Sequence, residues 1–113
     1  MFVGNHTIWG IFDVPVLLYE LWNSHGIMPR ALGDHVHWAV PVWRDLLQNL
    51  GVVDGNRSSA GGLLSRGQCL LVFPGGGREV AKRRGEKYRL IWKERLGFAL
   101  LAIRHRALVV PVS

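Results

Sequence analysis

The chain has one cysteine, no long apolar run and no cluster of potential zinc ligands. Each of these absences excludes a class of protein or of site. The single cysteine, Cys69, excludes an internal disulfide framework and fits a reducing compartment. No apolar run reaches the roughly 18 residues that span a bilayer, and we expect no signal peptide. No Cys/His cluster has the spacing of zinc ligands, so no metal site is predicted.

The composition predicts one α/β domain. With 49% hydrophobic and 19% charged residues, the 113 residues suffice for one modest core. Short strand-like runs alternate with stretches of helical spacing, a pattern typical of a mostly parallel sheet with flanking helices. Because strand-like residues stand at both ends, we expect residues 1–113 to form a single partial domain, a fragment of a larger one.

Three stretches have the apolar spacing of helices. The first predicted helix runs from about Val14 to Asn23, with Asp13 as its N-cap. It is apolar nearly all round, which favours burial over contact with lipid. Two further helices are predicted between Trp43 and Leu50 and from Lys93 to His105.

The most informative stretch is Pro74 to Glu79. Here the strand-like run Cys69–Phe73 breaks into three consecutive glycines, followed by Arg78 and Glu79. Such a loop can hold backbone N–H groups against an anion, and Arg78 would add a fork of donors. His6 also follows a predicted strand. Because the carboxyl ends of parallel strands meet at one rim, we expect His6 and the glycine loop to lie together.

The positive charge is concentrated in one segment. Residues 78–106 hold ten Lys/Arg against three Glu, a net +7, while residues 1–77 have a net charge of −1. A local basic surface of this kind faces an anionic partner such as a phosphate, a lipid headgroup or a nucleic acid.

A histidine after a strand, an aspartate downstream and arginines near a glycine loop suit acyl transfer to a hydroxyl. A neutral imidazole accepts the hydroxyl proton, and a carboxylate behind it fixes the tautomer and stabilises the imidazolium. Arginines and loop amides hold phosphate groups of the acyl carrier or acceptor. Direct transfer needs no nucleophilic serine or cysteine.

The sequence resembles the glycerolipid acyltransferases, which include lysophosphatidate and glycerol-3-phosphate acyltransferases. Four blocks in order have the appearance of the family's motifs and cover nearly the whole chain. They are Gly4-Asn5-His6-Thr7, Gly51 to Arg57, Phe73-Pro74-Gly75-Gly76-Gly77-Arg78-Glu79 and Val109-Val110-Pro111-Val112. The third block is most similar to the diacylglycerol-acyltransferase-like branch.

The resemblance implies transfer of a fatty acyl group from acyl-CoA or acyl carrier protein to a lipid hydroxyl. It implies work at a membrane surface, on the cytoplasmic face, with no cofactor beyond the acyl donor and no nucleic-acid partner. His6 would be the general base and Asp13 its orienting carboxylate. The substrate-binding residues would be Asn5, Arg57, Gly75, Gly76, Gly77, Arg78 and Glu79.

Two departures from the family pattern bear on these roles. The family separates the first-block histidine from its aspartate by four residues, where this chain has Ile11; Asp13 is separated from His6 by six. Seven helical steps rise about 10.5 Å, so the pair requires a chain that folds Asp13 back. If Asp13 is only an N-cap, His6 acts alone or with another carboxylate. In the third block, Gly75 stands where the family usually has a glutamate. The acyl acceptor is therefore left open among a phosphorylated lysolipid, a diacylglycerol and a long-chain alcohol.

Two other classes of function remain open at this stage. A nucleic-acid or nucleotide-binding module would use the basic segment with Tyr88 and Trp92 for stacking. Against it, the glycine loop lacks the Gly-Lys-Ser/Thr ending of a P-loop, and His6 is left without a role. An inactive acyltransferase-like fragment is the third class.

Overall fold

The fold is one parallel sheet with helices on both faces, as predicted. The computed structural model describes residues 1–6, 10–86, 89–92 and 95–113. All four strand pairings are parallel, and the strand order is β3-β2-β4-β1-β5. The strands are β1 (Phe2–Gly4), β2 (Arg30–Gly33), β3 (Val53–Asp54), β4 (Leu70–Val72) and β5 (Val110–Val112).

In the part of the chain that the structure describes, five helices and one short 3₁₀ helix connect these strands. They are α1 (Gly10–His25), the 3₁₀ helix His35–Ala39, α2 (Pro41–Asn49), α3 (Arg57–Ser65), α4 (Gly76–Val80) and α5 (Gly97–His105). Polar side chains cap two of them, because Asp34 accepts from the backbone N–H of Val36 and Asn56 from that of Ser59.

Two predicted helix boundaries need correction. The first helix begins at Gly10, so Asp13 lies inside its first turn and is not its N-cap. Packing of the apolar stripe outweighs the poor helix propensity of Gly10 and Pro15. The last helix begins at Gly97, after Arg95 and Leu96, while Lys93 and Glu94 lie outside the described residues.

The core has two halves, one on each face of the sheet. Alternate strand residues point to opposite faces, so Phe2 and Leu71 pack toward α1 while Val3 and Leu70 pack toward α3 and α5. Leu70 and Leu71 have no exposed surface. The central strands β1 and β4 are thereby held in a fixed register, which fixes where the residues after them lie.

Helix α1 is only half buried, which corrects the expectation of full burial. One stripe, with Leu17 and Leu21, packs on the sheet, but the opposite side leaves large apolar residues exposed. These exposed residues are Phe12, Val16, Tyr19 and Trp22. Among the helices that the structure describes, none has both the length and the apolar character to cross a membrane.

Candidate active site

His6 and the glycine segment meet at the carboxyl rim of the sheet, as the sequence predicts. β1 and β4 are neighbours, with Phe2 opposite Leu71 and Val3 opposite Val72. Their first residues beyond the sheet therefore lie side by side. The imidazole of His6 stacks on the ring of Phe73, with centroids 4.7 Å apart and an interplanar angle of 21°.

Glu79 lies directly behind His6 and is fully buried. Its Oε2 accepts hydrogen bonds from the backbone N–H of His6 at 3.1 Å and from the indole Nε1 of Trp92 at 3.2 Å. Its other oxygen, Oε1, and the Nδ1 of His6 are both buried without a hydrogen-bond partner among the described residues. The carboxylate therefore supports the backbone of His6 and retains unused acceptor capacity.

Burial lowers the pKa of His6 below its ordinary value of 6.5. The negative charge of Glu79 opposes this shift most strongly, the neighbouring His37 adds to it, and Asp13 opposes it least. This lowered pKa favours the neutral imidazole, which is the state that accepts a proton.

The predicted glycine loop is a tight turn followed by the short helix α4. Gly75 has an ordinary φ of −66°, but a Cβ there would overlap Cβ and Oε2 of Glu79. Gly76 has a φ of +54°, the left-handed region that favours glycine. Gly77 has room for a Cβ, since its nearest neighbour, Oδ2 of Asp34, would be 3.8 Å away. Each of the first two glycines is thus required for a different reason.

The amide of Gly76 and the side chain of Arg78 have hydrogen-bond partners within the chain, so the binding role predicted for the loop amides and for Arg78 stays a prediction. The N–H of Gly76 donates to the carbonyl of Phe73 at 3.0 Å. Arg78 donates to both oxygens of Glu86, at 2.7 and 2.9 Å, and to the carbonyl of Ala81 at 3.0 Å. That hydrogen bond to Glu86 also lowers the pKa of the Glu86 carboxyl. The guanidinium of Arg78 thus joins α4 to the residues that follow it, Ala81 and Glu86.

A cavity of about 860 Å³ opens in front of His6. Its wall is largely apolar and includes Leu18, Leu47, Val52, Phe98 and Leu101. Of the predicted site residues, His6, Arg57, Gly76 and Gly77 line it, whereas Asn5, Asp13, Gly75, Arg78 and Glu79 do not. The structure thus gathers the predicted base, one predicted cation and an apolar chamber of the size typical of ligand pockets.

Comparison with known proteins decides the family. A profile of the family described as Acyltransferase matches residues 1–113. The chain belongs to the acyltransferase family. The predicted resemblance to glycerolipid acyltransferases is confirmed, since relatives are named as diacylglycerol and acylglycerol O-acyltransferases.

Three relatives illustrate the match. Diacylglycerol O-acyltransferase 2B of Umbelopsis ramanniana is 34% identical over 89 residues, covering 77% of this chain and 26% of that protein. Phytyl ester synthase 2, chloroplastic, of Arabidopsis thaliana is 28% identical over 123 residues, covering 98% and 17%. Human 2-acylglycerol O-acyltransferase 3 is 34% identical over 76 residues, covering 65% and 22%.

The chain therefore spans less than a third of the length of each of these relatives. No solved structure matches it.

Several polar residues at this candidate site were not predicted as site residues. Arg95 lines the cavity and donates to the carbonyls of Gly75 at 2.9 Å and Pro74 at 3.5 Å. The indole of Trp92 donates to Glu79. Both lie in the basic segment 78–106, where no periodic pattern in the sequence marks a role.

Two histidines at the cavity also have partners that the sequence did not indicate. His35 pairs with Asp54 at 3.2 Å and not with its neighbour Asp34. The Nδ1 of His37 accepts from the indole of Trp43 at 3.2 Å. Asp34 and Asp54 come at or just after the ends of β2 and β3, so the rim position of these strands was the available signal.

The glycine requirement at position 75 can be tested by paired substitutions. We expect Gly75→Ala to lower the free energy of unfolding by about 1–3 kcal/mol, because the new methyl group displaces the Glu79 carboxylate. Gly77→Ala, in the same helix region, should change it by about 0.5 kcal/mol or less. Urea unfolding measures both, and equal effects would contradict the steric account.

Proposed function

We propose that this chain carries the catalytic core of an O-acyltransferase that transfers a fatty acyl group from acyl-CoA or acyl carrier protein to a lipid hydroxyl. The observation that supports this best is a half-buried histidine at the wall of a large apolar cavity. The cavity suits an acyl chain, and the imidazole suits proton removal from a hydroxyl.

The proposed reaction is a direct transfer. His6 takes the proton of the acceptor hydroxyl, and that oxygen attacks the thioester carbonyl. The C–S bond then breaks, and the imidazolium returns the proton to the departing thiolate, so the products are an ester and a free thiol. Because Nδ1 of His6 is buried, we assign the proton transfer to Nε2. The reaction as proposed takes no metal or cofactor.

We propose Arg57 as the residue that holds an anionic group of the donor or acceptor. It is the first residue of α3, where the helix N-terminus also favours negative charge, and it lines the cavity. Arg95 lines the cavity too, whereas Arg78 is engaged with Glu86. The pairing of Asp13 with His6 stays a prediction, since Asp13 is exposed in the first turn of α1.

For the acceptor, we propose a neutral lipid alcohol. The relatives are named for diacylglycerol, 2-acylglycerol and phytyl esters, and none of these names specifies a phosphorylated acceptor. The family also favours acyl transfer over the nucleic-acid alternative.

The base can be tested by acyl transfer from radiolabelled oleoyl-CoA to diacylglycerol, phytol and lysophosphatidate. We expect label in a neutral ester, and a loss of at least roughly 100-fold in His6→Ala, the contribution of a general base. His25→Ala, which removes an exposed histidine at the end of α1, is the matched control. Full activity in a folded His6→Ala protein would reject His6 as the base.

The pH dependence should reflect the environment of His6. Because burial lowers its pKa, the neutral base persists below pH 6.5 and is lost only as pH falls through that lowered pKa. We therefore expect kcat/KM to rise along a single acid limb with its midpoint below 6.5. A midpoint above 6.5 would contradict a desolvated imidazole.

We also propose that the exposed stripe of α1 places the chain on a membrane surface, on the cytoplasmic face. Its apolar residues would enter the interface, and the exposed cations Arg83, Arg84 and Arg89 would meet anionic headgroups.

Sedimentation with vesicles of phosphatidylcholine and phosphatidylserine tests this placement. We expect Trp22→Ser to reduce the bound fraction several-fold, because an aromatic side chain contributes apolar area at the interface. Leu108→Ser, which changes a residue 78% exposed just before β5, is the control. Equal binding of both variants would argue against a role for α1.

A further inference from the structure

Glu79 is, among the described residues, the one charged side chain with no solvent exposure. An ionised carboxylate is costly to bury unless hydrogen bonds or an opposite charge compensate. The two N–H donors on Oε2, from His6 and Trp92, provide part of that compensation. Oε1 receives no hydrogen bond from the described residues, so one of the two carboxylate oxygens is buried without compensation.

A second unsatisfied polar atom belongs to His6 itself. Nδ1 of His6 is also buried without a described partner, and the backbone of His6 is already bonded to the other oxygen of this carboxylate. An imidazole nitrogen donates when it carries the proton, and an ionised carboxylate only accepts. Hydrogen bonds of catalytic groups are often long in unliganded structures and tighten when substrate binds.

We propose that Glu79 is the positioning residue of His6. Oε1 accepts the Nδ1–H of the imidazole, which fixes the tautomer and leaves Nε2 free to accept the proton of the acceptor hydroxyl. The carboxylate also stabilises the imidazolium that forms. This assignment rests on the proposed role of His6 as general base, and it gives Glu79 a function other than contact with substrate.

The surroundings of His6 favour Glu79 over Asp13 for this task. Among the described residues, three ionisable groups interact with His6: Glu79 from α4, His37 from the 3₁₀ helix and Asp13 from α1. Asp13 is solvent-exposed, where water and salt screen its charge. Glu79 acts from a buried position, where a charge is felt more strongly.

The proposal also explains why glycines precede Glu79 at positions 75 and 76. Any side chain at position 75 would occupy the place of the Glu79 carboxylate, as the overlap of its Cβ with Glu79 shows. Gly76 then turns the chain into α4 through a left-handed conformation, and Glu79 comes one turn later. The segment thus delivers a carboxylate to His6, in addition to bordering the cavity.

The first test uses the unaltered chain. Nitrogen-15 NMR of the labelled histidines distinguishes the two neutral tautomers, and His6→Ala identifies the His6 signals. We expect His6 to carry its proton on Nδ1 above its pKa. A neutral His6 with the proton on Nε2 would overturn the proposal, and this result requires neither turnover nor a folded Glu79 variant.

The second test compares variants by NMR titration of His6 and by kinetics. Glu79→Gln keeps the shape but removes the charge, so we expect a lower pKa for His6 and a loss in kcat on the order of 100-fold. KM should change by about twofold or less. Glu20→Gln, an exposed carboxylate on α1, controls for the loss of one negative charge.

The possible results separate this proposal from the proposed function. A folded Glu79→Gln protein with an unchanged His6 titration would show that Glu79 is structural, and the proposal would fail. If the pKa of His6 is lowered in Asp13→Asn and unchanged in Glu79→Gln, Asp13 is the positioning residue of His6 instead of Glu79. If His6 titrates as expected but the unaltered chain transfers no acyl group, the pairing stands and the acyltransferase activity fails.

Discussion

The rest of this structure depends on a carboxylate that solvent does not reach. Oε2 of Glu79 joins the backbone of His6, 73 positions away in sequence, to the indole of Trp92, 13 positions away. These two hydrogen bonds connect the end of β1, the helix α4 and Trp92, which precedes α5. Removing one partner of a buried charged hydrogen bond typically costs more than a surface contact does. The position of the candidate base is therefore tied to the integrity of the core.

The parallel sheet supplies the other constraint. Because β1 and β4 are adjacent and in register, the residues that follow the two strands lie next to each other. His6 stacks on Phe73 as a result. The residues after β2 and β3 extend the same rim with Asp34, His35 and Arg57. Apolar side chains from α1, α2 and α5 close the chamber in front of it. The proposed ester formation on a lipid alcohol would use this arrangement of a candidate base at the wall of an apolar chamber.

Much of this could be read from the sequence, because it depends on local pattern. Alternation of strands and helices predicted the parallel sheet, and strand ends predicted that His6 and Pro74–Glu79 share a rim. The left-handed Gly76 is likewise a local property of the chain. Turn residues and apolar spacing are set by neighbours within one turn of helix or one strand.

The partner of His6 could not be read in this way. Asp13 is the next acid after His6 in the sequence, although the spacing of the family motif falls on Ile11. Glu79 contacts His6 only through the pairing of β1 with β4. Similarly, Arg78 was expected to bind an anion, but the return of the chain to Glu86 provides an internal partner. Long-range contacts of charged side chains have no periodic signature, so only the folded chain reveals them.

The most direct test of this account is a structure with an acyl-CoA thioether analogue that cannot react. We predict that the acyl chain occupies the cavity bordered by Leu18 and Leu101. The carbon that replaces the carbonyl should lie about 3–3.5 Å from the position of the acceptor hydroxyl oxygen beside Nε2 of His6. An acyl chain bound elsewhere, with His6 facing empty solvent, would contradict the account.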